Sequence, residues 1–357
     1  MPSKPLCYNA TFQDQISVAF DPAPPFYTTL LEWPGLRPFP DAPRRILKRH
    51  IFGYIMAVLF RYSILLPVRL SLCLTSFLFC FLAVIYSYLF PLTRKQQLRI
   101  SVIYCRLFCA GIGLVARYHN KQYRPKKPGI AVSNHLSPND IQVIFADIDL
   151  NTSSGCGYTV TGQKHTGIIW AIERLVEKLC PALWLERSNA DDRRRFMREV
   201  LVVCQTRLED PVLMFPEGYC TNNTRILQFR RAVFEENVTI YPIAIKTTQL
   251  YRQSARFGDS FWSEDYFWQY LLRVFTSWAI AYDVYYLKPM ERQTPETAQE
   301  FASRVQREIA KYADAEPLDF DGRLWYNSEE RERLKDLQMQ NVAKRIIKLQ
   351  ESDQTEL

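Results

Sequence analysis

Residues 129–147 read GIAVSNHLSPNDIQVIFAD. GIAVSN is short, apolar and rich in β-formers, the pattern of a buried strand. Ser137-Pro138-Asn139-Asp140 then reads as a helix start, with Ser137 as N-cap, Pro138 at the first helical position and an acid two residues later. IQVIFAD continues it as a helix. The same hand-over recurs downstream. GYTVTG, ALWLER, PVLMFPEG, VTIYPIAIK and IAYDVYYLK read as strands. GIIWAIERLVEKLC, NADDRRRFMREVLVVCQTRL and EDYFWQYLLRVFTSW read as helices. Such alternation predicts an α/β fold with a central, mostly parallel sheet flanked by helices.

The opening stretch also poses a chemical question. His135 stands on the loop between strand and helix, and Asp140 follows five positions later. Asp140 has a purely structural use, reaching back to the N-cap amide as in a capping box. Were both residues helical, they would lie about 140° apart and would not meet. With His135 on the loop and Asp140 in the first turn, the carboxylate can hold one ring nitrogen and leave the other to accept a proton. That is a base and its orienting acid without a protein nucleophile, so the substrate's own hydroxyl would attack. The spacing alone leaves both uses open.

Upstream, residues 1–50 form a proline-rich segment that cannot carry a long helix or an inner strand, and the first residues lack the apolar core of a signal peptide. Residues 51–93 are the apolar part, and no charged residue occurs between Leu70 and Thr93. At about 1.5 Å per residue, Leu70 to Phe90 crosses a hydrocarbon core of roughly 30 Å. Arg44, Arg45, Lys48 and Arg49 precede this part, and Arg94, Lys95 and Arg99 follow it. Basic flanks on both sides put both ends in the cytosol, which predicts a membrane helical hairpin broken near Pro67. Residues 95–122 read as a helix with an apolar stripe followed by a turn. A charged helix is expected over 328–350, in a C-terminal tail of 321–357.

The chain has 357 residues and a formal charge of +8. The charge fits an acidic partner such as a membrane surface, phosphate or CoA. No basic-aromatic platform motif accompanies it, so nucleic acid is not expected. Nine cysteines, an odd count without a C-x-x-C or zinc-ligand spacing, read as reduced thiols. The aromatic-rich stretch 257–286 reads as core, part of it facing the membrane.

A second informative stretch is MFPEGYCTNN, residues 214–223. An apolar strand ends in Phe215-Pro216-Glu217-Gly218 and an amide-rich turn. Strand ends of this kind line clefts in α/β sheets, and Gly218 lets backbone approach a ligand closely.

SNHLSPND and MFPEGYCTNNT resemble the first and third motif blocks of the glycerolipid acyltransferases. LCPALWLERS (179–188) resembles the second block and VTIYPIAIK (238–246) the fourth, with Pro242 at its proline. The -WxERS- and FPEG-x-C-x-NNT forms, with FRYSILLPVRLSL, FGDSFW and LLRVFTSWAI, resemble the endoplasmic-reticulum-type glycerol-3-phosphate acyltransferases. The likeness runs from about residue 58 to residue 340. It implies an acyltransferase domain over 94–320 that moves a fatty acyl group from acyl-CoA to glycerol 3-phosphate. His135 would be the general base and Asp140 its orienter. Arg187, Glu217, Gly218 and Lys246 would bind substrate, and Asn134, Ser137, Phe215, Pro216 and Pro242 would support the motifs.

The resemblance implies acyl-CoA as co-substrate and no metal or other cofactor, and an active site on the cytosolic side of the endoplasmic reticulum membrane. Two rival expectations stand beside it: acylation of lysophosphatidate, and a non-catalytic membrane-anchored adaptor on the same fold. Tyr219 stands where that family usually has threonine, and a narrowed acceptor pocket is expected from it.

Overall fold

A computed structural model describes residues 51–150, 156–164, 167–185, 190–206, 210–235, 238–247, 260–261 and 267–319. The proline-rich segment, Arg187 and the charged helix of 328–350 lie outside these.

The described chain opens on helix α1, Ile51–Phe60, which runs through a π-helical turn at Arg61–Leu65 into α2, Leu66–Leu89. The break expected at Pro67 does not occur. Pro67 falls in the first turn after the widened π segment, where a missing N–H costs least. The predicted hairpin within 51–93 is therefore corrected to one continuous helix. Its apolar stretch Ile55–Leu89 has a mean hydropathy of 2.2 in its most apolar part, and only 28% of that part is buried, so the helix is long and apolar enough to cross a membrane. Phe52, Leu74, Leu78, Phe81, Leu82 and Leu89 point outward, whereas helices of soluble cores bury such residues. Ser71, Thr75, Ser76 and Ser87 return their hydroxyls to carbonyls of their own helix, 2.6–2.7 Å away, which keeps unsatisfied donors away from apolar surroundings.

The arm packed against α2 is instead α3, Arg94–Ile112. A Thr93/Gln96 capping box starts it, and Gly113 at φ +68° ends it in the left-handed conformation that glycine adopts freely. Its inward side chains include Leu98, Val102, Cys105 and Ile112. The sequence reading carried this helix to residue 122. The structure ends it ten residues earlier and places strand β1, Leu114–His119, next.

Strands β2 (Ile130–Ser133), β3 (Thr159–Gln163), β4 (Ala182–Leu185), β5 (Val212–Met214), β7 (Ile240–Thr247) and β8 (Ile280–Tyr286) join β1 in a seven-stranded sheet ordered β1-β8-β7-β2-β5-β3-β4. Two-residue strands β6 (Arg225–Ile226) and β9 (Glu316–Pro317) pair separately. All neighbours in the large sheet are parallel except β7 and β8. The mostly parallel, helix-flanked sheet read from the sequence is thus the fold. β2 lies between β5 and β7, and Ile130, Ala131, Val132 and Ser133 are all fully buried, as a strand covered on both faces requires.

One face is covered by α2, α3, α4 (Asp140–Ala146) and α7 (Phe267–Thr276). The other carries α6 (Ala190–Thr206) and α8 (Ala298–Ala313), through Phe196, Val200, Phe301, Val305 and Ile309. Burying each such side chain is worth about 1.5–3 kcal/mol. Helix α5, Gly167–Glu177, connects β3 to β4. The sequence reading did not single out α8, whose start is a Thr297/Glu300 capping box.

Because β2 and β5 are parallel neighbours, the loops after Ser133 and Met214 emerge side by side at one edge. Those loops carry the two motifs.

Candidate active site

His135 leaves the end of β2 and Asp140 opens α4. The ring Nδ1 lies 2.9 Å from Asp140 Oδ2. The same oxygen accepts from the backbone N–H of Leu136 at 2.6 Å and of Ser137 at 2.9 Å. Asp140 Oδ1 accepts from Ser137 Oγ at 3.0 Å, with the Tyr282 hydroxyl at 3.4 Å. The helix starts two residues later than expected, with Asn139 in place of Ser137 as N-cap, yet Asp140 still reaches back to the Ser137 amide while it holds the ring. The backbone bonds hold the carboxylate still, and the carboxylate holds the ring. Asp140 is fully buried.

Phe215 stacks on the His135 ring with centroids 4.3 Å apart. Thr221 N–H donates to the His135 carbonyl at 2.8 Å. Burial disfavours the charged ring, but the Cys220 side chain beside it and the Asp140 carboxylate outweigh that. The pKa of His135 is raised well above the usual imidazole value. This contact with Cys220 was not foreseen from the sequence.

Glu217 is buried, and both its oxygens are engaged by backbone. Oε1 accepts from His135 N–H and Oε2 from Leu227 N–H, each at 2.8 Å. Burial, against the help of those two donors, pushes its carboxyl up to about 8. Glu217, expected to bind substrate, ties the third-block loop to the loop of His135. Gly218 has φ +75°, and a Cβ there would meet the Arg230 guanidinium. Arg230 N–H donates to the Pro216 carbonyl at 3.2 Å, which pins that segment to the loop.

Asn134 continues the sheet where β2 stops. Its amide accepts from Ile245 N–H at 2.8 Å and donates to the Ile245 carbonyl at 2.8 Å. It also donates to Asn223 Oδ1, and Asn223 stands in the left-handed region at φ +62°. Ser137 Oγ accepts from Asn139 N–H at 3.2 Å. Pro242 stands beside Val132 on β7 and accepts from Leu287 N–H at 3.0 Å. Lys246, expected to bind substrate, forms an ion pair with Asp314 at 2.9 Å at the end of β7. Tyr219 packs against Leu227 and Leu318, which gives the large side chain a place in a small apolar cluster.

Three residues that the sequence reading passed over complete the surroundings. Tyr282 on β8 reaches Asp140, and Tyr270 on α7 accepts from Asn139 Nδ2 at 2.8 Å. Arg230 brings a cation to Gly218. The only sequence signal for the two tyrosines was the aromatic-rich stretch itself. A second histidine contact, His119 Nε2 to Asp283 at 2.8 Å, differs in kind. Asp283 is also held by the guanidinium of Arg117 at 2.9 Å, and the site lies on the edge strand.

Residues 115–246, from β1 to β7, match the family model described as Acyltransferase. That match covers the sheet from β1 to β7, and both motif loops lie within it. It is 36% identical over 302 residues to glycerol-3-phosphate acyltransferase 3 of Mus musculus, covering 82% of this chain and 65% of that protein. The human protein of the same name matches equally, at 36% identity over 302 residues. Glycerol-3-phosphate acyltransferase 4 of Mus musculus is 35% identical over 286 residues, covering 79% of this chain and 59% of the relative. The chain thus spans just under two thirds of the length of these relatives. The solved structure of the 1-acyl-sn-glycerophosphate (LPA) acyltransferase PlsC from Thermotoga maritima superposes with a TM-score of 0.48 at 13% identity, over 73% of this chain and 95% of that one. The matched residues begin on β1 and end on β7, and the motif loops after β2 and β5 both lie between.

Proposed function

We propose that this protein is an acyltransferase that transfers a fatty acyl group from acyl-CoA to the hydroxyl of glycerol 3-phosphate, at the cytosolic face of the endoplasmic reticulum membrane. The observation that carries the reading is the His135–Asp140 pair, with Asp140 buried, accepting from two backbone amides and the Ser137 hydroxyl, and held against one ring nitrogen. The names of the relatives support glycerol 3-phosphate as acceptor. The outward apolar face of α1 and α2 supports membrane attachment.

In this reading, neutral His135 takes the proton of the acceptor hydroxyl as its oxygen attacks the thioester carbonyl. Asp140 stabilises the imidazolium that forms. The tetrahedral intermediate collapses, the C–S bond breaks, and the CoA thiolate leaves and recovers the proton. General-base assistance of this kind contributes about 10²–10⁴-fold. Arg230, pinned beside Gly218, and Arg187 of the second block are the cations assigned to the substrate's phosphate. A guanidinium offers the bidentate geometry that phosphate favours.

The Cys220 contact favours one second reading. The thiol gives its proton to His135, the thiolate takes the acyl group, and CoA leaves with the proton. The acceptor hydroxyl, its proton taken by His135, then attacks the acyl-cysteine; the bond to Cys220 Sγ breaks, and the Cys220 thiolate recovers the proton from His135. Sequential kinetics with an active Cys220→Ala variant support direct attack; ping-pong kinetics and a trapped acyl-cysteine support the covalent route.

The deciding experiment offers the purified full chain labelled acyl-CoA with glycerol 3-phosphate and lysophosphatidate side by side. Preference for the first supports the proposal. Preference for the second moves the assignment to lysophosphatidate acylation. Turnover of neither, with the fold intact, leaves a membrane-anchored adaptor.

A further inference from the structure

Arg69 lies on α2, on the apolar helix, yet it is 6% exposed and turned into the domain. Its guanidinium reaches across more than two hundred residues of sequence to the end of α7. Nη1 donates to the carbonyls of Val274 at 3.3 Å, Phe275 at 3.1 Å and Ser277, and Nη2 to that of Trp278 at 2.8 Å. Val274 and Phe275 belong to the last turn of α7, where carbonyls lack their full intrahelical partners, and Ser277 and Trp278 follow directly; a cation there also complements the helix dipole. Thr276 and Ser277 return their hydroxyls to Leu272 and Arg273 carbonyls, each at 2.7 Å, so side chains complete the whole end.

Two glycines make room for this contact. The Arg69 guanidinium fills the space a Cβ on Gly113 would take. A Cβ on Gly111 would meet the Cys73 backbone at 2.8 Å, so α2 and α3 cross at close range. Trp278, whose carbonyl Arg69 binds, stacks on Phe60 at 5.6 Å and lies under the Arg61 guanidinium at 5.1 Å. The apolar helix therefore grips the end of α7 from two turns.

The other end of α7 carries Tyr270, 1% exposed, whose hydroxyl accepts from Asn139. Asn139 N–H donates to Ser137 Oγ, Ser137 Oγ donates to Asp140, and Asp140 holds the His135 ring. We infer that Arg69 is a positioning residue: through the C-terminus of α7 and Tyr270 it ties the apolar membrane helix to the Asp140–His135 pair, so that membrane attachment and catalysis share one rigid unit.

The kinetic part of this inference rests on the acyl-transfer reading; the structural part does not. The test uses the full chain in lipid nanodiscs, as wild type and Arg69→Ala. The variant is expected to stay membrane-bound and to keep the KM for acyl-CoA. Its kcat falls roughly tenfold to a hundredfold, as for a catalytic group displaced by a fraction of an ångström. Millimolar guanidinium, which refills the cavity and its donors, restores part of kcat. Amide exchange measured by mass spectrometry speeds up over 135–146 as well as over 267–278. An unchanged kcat, or faster exchange confined to 267–278, overturns the inference.

Tyr270→Phe removes only the hydroxyl that Asn139 meets. It tests the same path if Arg69→Ala does not fold, and an unchanged kcat in that variant also overturns the inference. A wild type that transfers no acyl group defeats the proposed function alone, because the exchange measurement still decides the coupling.

Discussion

Glu217 and His135 are joined through the backbone: the Glu217 carboxylate accepts from His135 N–H at 2.8 Å, while Asp140 takes the ring. The two motif loops are thereby one unit, because the other oxygen of Glu217 holds Leu227 in the segment that delivers Arg230. Each oxygen of the Glu217 carboxyl accepts one backbone N–H here, and an amide offers a single oxygen.

Glu217→Gln therefore turns an NH₂ toward a backbone N–H. A stability loss of about 1–3 kcal/mol is expected, the cost of an unsatisfied buried group, measured by denaturant unfolding in detergent. The carboxyl is raised to about 8 in the folded state. Its favourable contribution is thus full below the unfolded value and is lost as pH rises through about 8. The gap between wild type and Glu217→Gln should be widest in mild acid and shrink toward alkaline pH.

Asp140→Asn tests the orienting charge with little change of shape. The side-chain oxygen can keep the Leu136 and Ser137 amides, and the NH₂ can face Ser137 Oγ. The variant is expected to fold with turnover about 10²–10⁴-fold lower. Turnover near wild type would leave Asp140 as a helix cap only.

The pH profile of kcat/KM follows from the raised pKa of His135. The base works as the neutral ring. Activity should therefore fall as pH drops through a value above 6.5, the usual imidazole value. Asp140→Asn removes one cause of the elevation and should move that limb to lower pH.

Arg230→Met should raise the KM for glycerol 3-phosphate by roughly ten- to a hundredfold, the worth of about 1.5–3 kcal/mol in a charge-assisted hydrogen bond. The KM for acyl-CoA should stay near wild type. A rise confined to acyl-CoA would assign Arg230 to the phosphates of CoA. Gly218→Ala should reproduce part of the acceptor effect, since its Cβ displaces the guanidinium and φ +75° disfavours alanine.

Cys220→Ala separates the two chemical routes. Retained turnover with sequential kinetics is expected under direct attack. Loss of turnover in Cys220→Ala, with recovery in no conservative variant, supports the acyl-cysteine.

Local pattern carried much of this molecule. The strands GIAVSN, GYTVTG, PVLMFPEG, VTIYPIAIK and IAYDVYYLK were legible because strand and helix periodicities are properties of a few neighbouring residues. The His135–Asp140 pair was legible for the same reason, since both its residues sit on one loop and the first turn after it. Strand β1 was missed because LVARYH gains its place only by pairing with β8, about 166 residues further on. The continuous helix through Pro67 was missed because the π-turn that accommodates proline has no sequence mark of its own.

The sequence by itself determined the α/β class, the apolar helix and the placing of His135 against Asp140, all written within single stretches of chain. Only the tertiary structure decided that Glu217 joins the two motif loops, that Lys246 pairs with Asp314, that Cys220 lies beside the His135 ring, and that Arg69 closes α7. Each of these joins side chains from distant segments, and parallel strand order, not spacing along the chain, sets which distant segments meet.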